Sequence, residues 1–225
     1  MEPVIHQAPV VVAERLRITE IFLSLQGESN TVGMPTVFVR LTGCPLRCRY
    51  CDTEYAFRGG EYREIGTVLS EVAGYQVRYV TVTGGEPLAQ PACLPLLEYL
   101  CDAGYQVALE TCGALDVSHV DRRVVKVMDM KTPGSGEVDK NRYENLACLV
   151  PRDQVKFVIC DRADYEWSCD LMDKYRLAGR CELLLSPAFG QQDAAQLAEW
   201  ILDDRLPVRF QLQLHKILWG DEAGR

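Results

Sequence analysis

Apolar positions along the chain fall into two kinds of run that take turns. Residues 16–25 carry Leu16, Ile18, Ile21, Phe22 and Leu23 in a run that alternates and then becomes continuous, which predicts a strand breaking at the polar loop Gln26-Gly27-Glu28. Residues 35–41 form a second β-rich run that ends in a glycine- and cysteine-containing loop. Residues 65–74 then space Val68, Leu69 and Val72 at helical intervals, and residues 77–82 form a compact β-branched and aromatic run that predicts a buried strand. Leu94, Leu97, Tyr99, Leu100 and Cys101 give residues 90–103 a broad helical apolar face, closed by Gly104 as a C-terminal cap. Strands are predicted over 105–110 and 124–130, with a short connection around 117–120 between them. Beyond the loop 131–136, the pattern predicts a helix over 143–149, a strand over 154–160, a helix over 163–177, a strand over 181–186, a helix over 193–203 and a terminal strand over 208–214.

Strand–helix alternation on this scale means parallel strands joined by crossover helices, an α/β class. Too few units are present for a complete eight-unit barrel of roughly 250 residues, so the expectation is an incomplete, laterally open (β/α) barrel of about six core strands. Ligands in such folds gather at the carboxyl ends of the strands. The organisation expected is a flexible N-terminal tail over residues 1–15 and a single domain over 16–225.

Charge and cysteine content narrow the function classes. The net charge is −8 and no Lys/Arg-rich run exists, so the electrostatic footprint of a nucleic-acid binder is lacking. No stretch approaches the roughly 20 apolar residues of a membrane span. Residues 1–15 lack a positive leader and a long apolar core, so the ten cysteines read as reduced thiols of a cytoplasmic protein rather than as a disulfide framework. Cys93, Cys101, Cys112, Cys148, Cys160, Cys169 and Cys181 are scattered singly, the pattern of small buried hydrophobes.

Cys44, Cys48 and Cys51 are different, because their C-x3-C-x2-C spacing places three thiolates on one loop. Three such donors can reach three irons of a [4Fe-4S] cubane and leave the fourth without a protein ligand. A structural zinc would call for four ligands from paired clusters, and an electron-transfer ferredoxin for a fourth cysteine. A second motif, Thr83-Gly84-Gly85-Glu86-Pro87, follows the strand predicted over 77–82, and its glycines permit close approach of backbone to a ligand.

The cysteine triple with Tyr50 before its last member, together with the GGEP segment, resembles the radical S-adenosylmethionine (SAM) superfamily. Within it, Ser24-Leu25-Gln26-Gly27-Glu28, the run from Gly33 through Pro35 and Arg40 to Cys44, Cys51-Asp52-Thr53, Glu110-Thr111 and His215-Lys216 resemble the 7-carboxy-7-deazaguanine synthase family of 7-deazapurine (queuosine) biosynthesis. The resemblance implies a radical SAM carbon–nitrogen lyase that converts 6-carboxy-5,6,7,8-tetrahydropterin to 7-carboxy-7-deazaguanine with release of ammonia. It implies a [4Fe-4S] cluster on Cys44, Cys48 and Cys51, SAM contacts from Tyr50, Cys51, Asp52, Gly85, Asp129 and Lys131, and a Mg2+ ligand in Thr53. Substrate contacts would come from Leu25, Gln26, Gly27, Arg40, Thr83 and His215. Asp129 and Met130 stand where relatives often carry Ser and Pro. Glu110 and His215 are candidates for proton transfer. A flavodoxin- or ferredoxin-type electron donor and a homodimer are implied as well. The rival within the same cofactor class is an activase that installs a glycyl radical on a partner protein.

Overall fold

The structure is a computed structural model, and it describes residues 14–220, 222 and 224. Nine strands form one sheet: β1 (Arg15–Leu25), β2 (Pro35–Leu41), β3 (Glu61–Glu64), β4 (Tyr79–Gly84), β5 (Gln106–Thr111), β6 (Val125–Met130), β7 (Gln154–Ile159), β8 (Glu182–Pro187) and β9 (Arg209–Phe210). Five helices accompany them: α1 (Ile65–Gly74), α2 (Cys93–Asp102), α3 (Arg162–Tyr175), α4 (Ala194–Asp203) and α5 (Leu214–Trp219). The strand order is β3-β1-β2-β4-β5-β6-β7-β8-β9. β1 pairs antiparallel with β2 and β3, and every pairing from β2 to β9 is parallel. β3 and β9 do not pair with each other, so the sheet is not closed, as the strand count implied.

Burial explains why the central strands read as they do. β4 and β8 are buried along almost their whole length, so both faces demand apolar or small residues, the habit of a parallel sheet covered by helices. Val37, Val39, Val80, Val82, Leu96, Leu97 and Leu100 belong to one core beneath α1 and α2. Phe157, Leu183, Leu185, Tyr165, Leu171 and Leu197 belong to a second beneath α3 and α4. Aspartates start the latter helices: Asp161 accepts from the Asp164 N–H at 2.9 Å and Asp193 from the Gln196 N–H at 2.8 Å, satisfying donors a helix start would otherwise orphan.

The fold departs from the sequence pattern in four places. Residues 143–149 form a 3-10 segment, Tyr143–Cys148, rather than an α-helix. Asn145 fixes this segment by donating to the carbonyls of Gly113 and Leu115, at 3.0 and 2.7 Å, and Pro151 lies just beyond its end. Of the terminal strand predicted over 208–214, only Arg209–Phe210 pairs, and α5 follows, because Gln211 and Gln213 turn the chain toward the loop after β1. β3 was not foreseen: Glu-Tyr-Arg-Glu has no apolar alternation, and its strand form comes from pairing with β1. Finally, β1 already begins at Arg15, while residues 1–13 of the expected tail lie outside the described residues.

Candidate active site

Strands β2, β4, β5, β6 and β7 point their carboxyl ends at one cavity of about 680 Å³. The loop after β2 carries Cys44, Cys48 and Cys51, all three of which line it. Five backbone contacts hold that loop. The Gly43 N–H donates to Ala56 O at 2.8 Å, Glu86 N–H to Gly43 O at 2.8 Å, Arg49 N–H to Ser135 O at 3.0 Å, Cys51 N–H to Cys48 O at 3.2 Å, and Arg47 N–H to the Glu137 carboxylate at 2.6 Å. Gly43 turns the chain at φ +101°, a conformation open to glycine.

The GGEP segment performs a structural task at the end of β4. Glu86 is fully buried and accepts from the Thr111 hydroxyl at 2.9 Å, the Cys112 N–H at 2.7 Å and the Leu88 N–H at 2.9 Å, so it ties the ends of β4 and β5 together. A side chain at Gly85 would meet the Gly43 carbonyl oxygen at 2.3 Å and Cys44 Cβ at 2.8 Å. The close approach that glycine permits here is thus between two loops of the protein as well as toward the cavity. Behind β6, Asp164 accepts from the Gly134 N–H, the Thr132 hydroxyl and the Cys160 N–H at 2.7, 3.0 and 3.0 Å, which anchors the loop that follows Lys131.

The opposite wall comes from the loop after β1, from β2, β4 and β5, and from α5. Leu25, Gln26, Gly27, Arg40, Thr83 and His215 all line the cavity, as do Tyr50, Asp52, Thr53, Gly85, Asp129 and Lys131. Several of them are already engaged. The Gln26 amide donates to Thr81 Oγ1 at 3.1 Å and toward Glu110 at 3.4 Å, while its oxygen accepts from the Glu28 N–H at 3.1 Å. Arg40 Nε donates to Glu20 at 2.7 Å and the Thr83 hydroxyl to Glu110 at 2.8 Å. Gly27 packs so tightly on His215 that an added Cβ would lie 2.2 Å from Nδ1. The Thr53 hydroxyl donates to Asp52 at 2.8 Å, and Lys216 lies 3.5 Å from the same carboxylate.

One residue of the floor, Lys156, was not singled out from the pattern. Lys156 Nζ pairs with Glu28 and with Asp129 at 3.3 Å, and Asp129 in turn lies 2.9 Å from Lys131 Nζ in an ion pair without a hydrogen bond's alignment. The signal was present: a lysine inside the buried run Gln-Val-Lys-Phe-Val-Ile needs a partner. This chain of alternating charge sets the local electrostatics. Burial pushes the Glu110 carboxyl up, and the neighbouring Glu28 charge adds to that. For Asp129 burial acts upward too, yet Lys131 and Lys156 outweigh it and hold the carboxyl below its ordinary range. Burial lowers His215, against the pull of Glu28 and Asp52. It raises all three loop thiols, Cys48 to about 11, and in each the Lys131 ammonium works the other way.

The donor set suits a polynuclear centre. Cys44, Cys48 and Cys51 bring three free thiols to the cavity from one loop, and in a cubane each thiolate takes its own iron. The Tyr50 hydroxyl is buried beside the cysteines without a hydrogen-bond partner among the described residues, and Lys131 Nζ lies 5.8 Å from the Tyr50 ring centroid, over its face. Cys93, Cys112 and Cys181 are buried and the other scattered cysteines half-buried, all as free thiols.

Comparison with known proteins agrees with this geometry. Residues 38–132 match the radical SAM superfamily. The chain is 46% identical to the 7-carboxy-7-deazaguanine synthase of Chlorobaculum tepidum, over 92% of this chain and 96% of that protein. It is 44% identical to the enzyme of the same name from Koribacter versatilis, over 92% and 99%. The chain belongs to the 7-carboxy-7-deazaguanine synthase family. The crystal structure of QueE from Escherichia coli superimposes with a TM-score of 0.75 at 25% identity, covering 89% of this chain and 95% of that one. Family membership makes this a radical SAM enzyme of 7-deazapurine biosynthesis that uses a [4Fe-4S] cluster and SAM, and it sets the glycyl-radical activase reading aside. No helix among the described residues is long and apolar enough to cross a membrane.

Proposed function

We propose that the cavity converts 6-carboxy-5,6,7,8-tetrahydropterin to 7-carboxy-7-deazaguanine with release of ammonia, as a carbon–nitrogen lyase. The observation that carries this reading is the meeting, in one cavity, of the three-cysteine loop with a polar wall built from Gln26, Thr83, Glu110 and Arg40. Bound there, the cluster and SAM would supply a carbon-centred radical able to abstract hydrogen from C6 of the pterin. The chain's own contribution is alignment and exclusion of water.

Cys44, Cys48 and Cys51 would hold the cluster, and Tyr50, Cys51, Asp52, Gly85, Asp129 and Lys131 would position SAM. Arg40, fixed through Nε by Glu20, would offer its remaining N–H groups to the substrate carboxylate. Leu25, Gln26, Gly27, Thr83 and His215 would frame the pterin. The Thr53 hydroxyl, beside the Asp52 carboxylate, offers the hard oxygen donors that Mg2+ prefers, with substrate and water completing the shell. Glu110, whose burial favours its protonated form, is the candidate for holding a proton near the departing nitrogen. A cytoplasmic homodimer reduced by a flavodoxin- or ferredoxin-type carrier completes the reading.

The test is anaerobic incubation of the reconstituted protein with SAM, a reductant and the carboxytetrahydropterin. A new deazapurine by absorbance and mass is expected. Intact cluster and SAM turnover without any deazapurine would remove the substrate assignment.

A further inference from the structure

We propose that Lys156 is a positioning residue that sets the loop after β1, which frames the pterin, against the SAM wall on β6. The inference rests on the reading of the cavity as the common site of pterin and SAM. Sheet order fixes one end of the arrangement. Lys156 and Asp129 are register partners across the parallel pair of β6 and β7, so their side chains leave the sheet on the same face, and both line the cavity. Lys156 Nζ lies 3.3 Å from Asp129 and also holds Glu28, 128 residues away in the chain. Glu28 sits midway along a loop that reaches from one side of the sheet to the other: the Gln26 amide donates to Thr81 on β4 at 3.1 Å, and the Asn30 N–H to the Gln154 amide oxygen on β7 at 3.0 Å. The other Glu28 oxygen accepts from the Gln213 amide at 2.8 Å, and that same nitrogen lies 3.2 Å from Asp52, beside Thr53.

Charge explains why the tie between loop and wall is a lysine. Glu28, Asp129 and Glu110 all face the cavity, and Glu110 is close enough to feel both Glu28 and Lys156. The side chains of Lys156 and Glu28 are each 13% exposed and that of Asp129 20%, so water screens their interactions weakly. Burial acts against the Lys156 ammonium, but Glu28 and Asp129 outweigh it and keep the group charged. With an uncharged side chain at this position the carboxylates of loop and wall repel each other. The loop is the part that yields, because Asp129 sits on a strand paired on both sides, with β5 and β7. Hydrogen abstraction needs reacting atoms about 3–3.5 Å apart, and a displacement of about 1 Å costs about a hundredfold. Loss of Lys156 should therefore let SAM be cleaved without conversion of the pterin. A loss of stability alone lowers both together.

The experiment uses the cluster-loaded protein under anaerobic conditions and reads binding before turnover. Affinities are measured for SAM and, with Mg2+ present, for 6-carboxypterin as a fluorescent stand-in for the reduced substrate. Lys156→Met should weaken both by about tenfold or more, since it releases Glu28 and Asp129 together. Glu28→Gln keeps an oxygen for Gln213 and leaves the Lys156–Asp129 pair, so it should weaken 6-carboxypterin alone. In turnover with the carboxytetrahydropterin, both variants should raise the ratio of 5′-deoxyadenosine to deazapurine by about tenfold or more. Lys156→Arg, which keeps the charge, should restore most of both affinities and of the ratio. Glu28→Gln carries the test if Lys156→Met does not fold. Unchanged 6-carboxypterin affinity with an unchanged ratio, in Glu28→Gln or in folded Lys156→Met, overturns the proposal and leaves the lysine a structural ion-pair partner only. So does a folded Lys156→Met protein that loses one ligand and keeps the other. An unsubstituted protein that binds SAM but neither binds 6-carboxypterin nor forms deazapurine overturns the pterin reading, and this inference with it.

Discussion

Gly85→Ala tests the idea that the end of β4 and the cysteine loop are built against each other. The added Cβ would sit 2.3 Å from the Gly43 carbonyl oxygen, 2.6 Å from the Gly43 carbonyl carbon and 2.8 Å from Cys44 Cβ. Ordinary van der Waals contact starts at 3.4 Å, so the loop must retreat by about 1 Å, and the obstructing atoms are backbone that cannot rotate aside. Overpacking of this kind costs about 1–3 kcal/mol. The retreat also strains the Gly85 N–H bond to Leu41 O at 3.1 Å and the Glu86 N–H bond to Gly43 O at 2.8 Å, each worth about 1 kcal/mol. Together the loss is about 3–5 kcal/mol, a large share of the 5–15 kcal/mol that holds a typical domain. Urea unfolding of the apoprotein reads the stability, and iron per chain after anaerobic reconstitution reads the loop. Gly66→Ala is the control: it lies in α1 with no neighbour within 4 Å of the added carbon, and should be neutral or stabilising by up to about 1 kcal/mol. A Gly85→Ala protein as stable as the Gly66→Ala control, with full iron, would refute the reasoning.

Four further substitutions probe other parts of the site. Cys48→Ala should abolish the iron–sulfur spectrum while circular dichroism shows the fold retained; an undiminished spectrum would take Cys48 out of the cluster. Thr53→Ala should weaken the Mg2+ dependence of turnover more than SAM binding, and an identical metal titration would place the ligand elsewhere. Lys156→Met leaves the Glu28 and Asp129 carboxylates without their shared cation, so a loss of about 3–5 kcal/mol is expected, part of it recovered in the double variant with Glu28→Gln; a loss below about 1 kcal/mol would show that the chain of charges is not structural. Glu110 has its folded-state pKa raised by burial and by Glu28, so the stability it contributes is full below the ordinary glutamate value of about 4.3 and is lost as pH rises through the folded value. Glu110→Gln should therefore flatten the decline in melting temperature with rising pH, and parallel curves for the two proteins would contradict the shift.

Strand–helix alternation and motif spacing were enough to determine most of the fold and the identity of the chemistry. A period of two or of 3.6 is a local property, so β1, β2, α1, β6 and α4 could be located within a residue or two. The cysteine triple and the GGEP segment were legible for a related reason, since each packs several donors or turn formers into a few consecutive positions. Only the tertiary structure decided what depends on residues far apart in the chain. β3 is a strand because β1 pairs with it, and the last predicted strand gives way to α5 because Gln211, Gln213 and Leu214 bond to residues 27–29, across the open side of the sheet. Nor could spacing reveal that Lys156 on β7 would neutralise both Glu28 and Asp129, or that Glu20 would hold Arg40, because partners for buried charge are chosen by sheet order rather than by sequence separation.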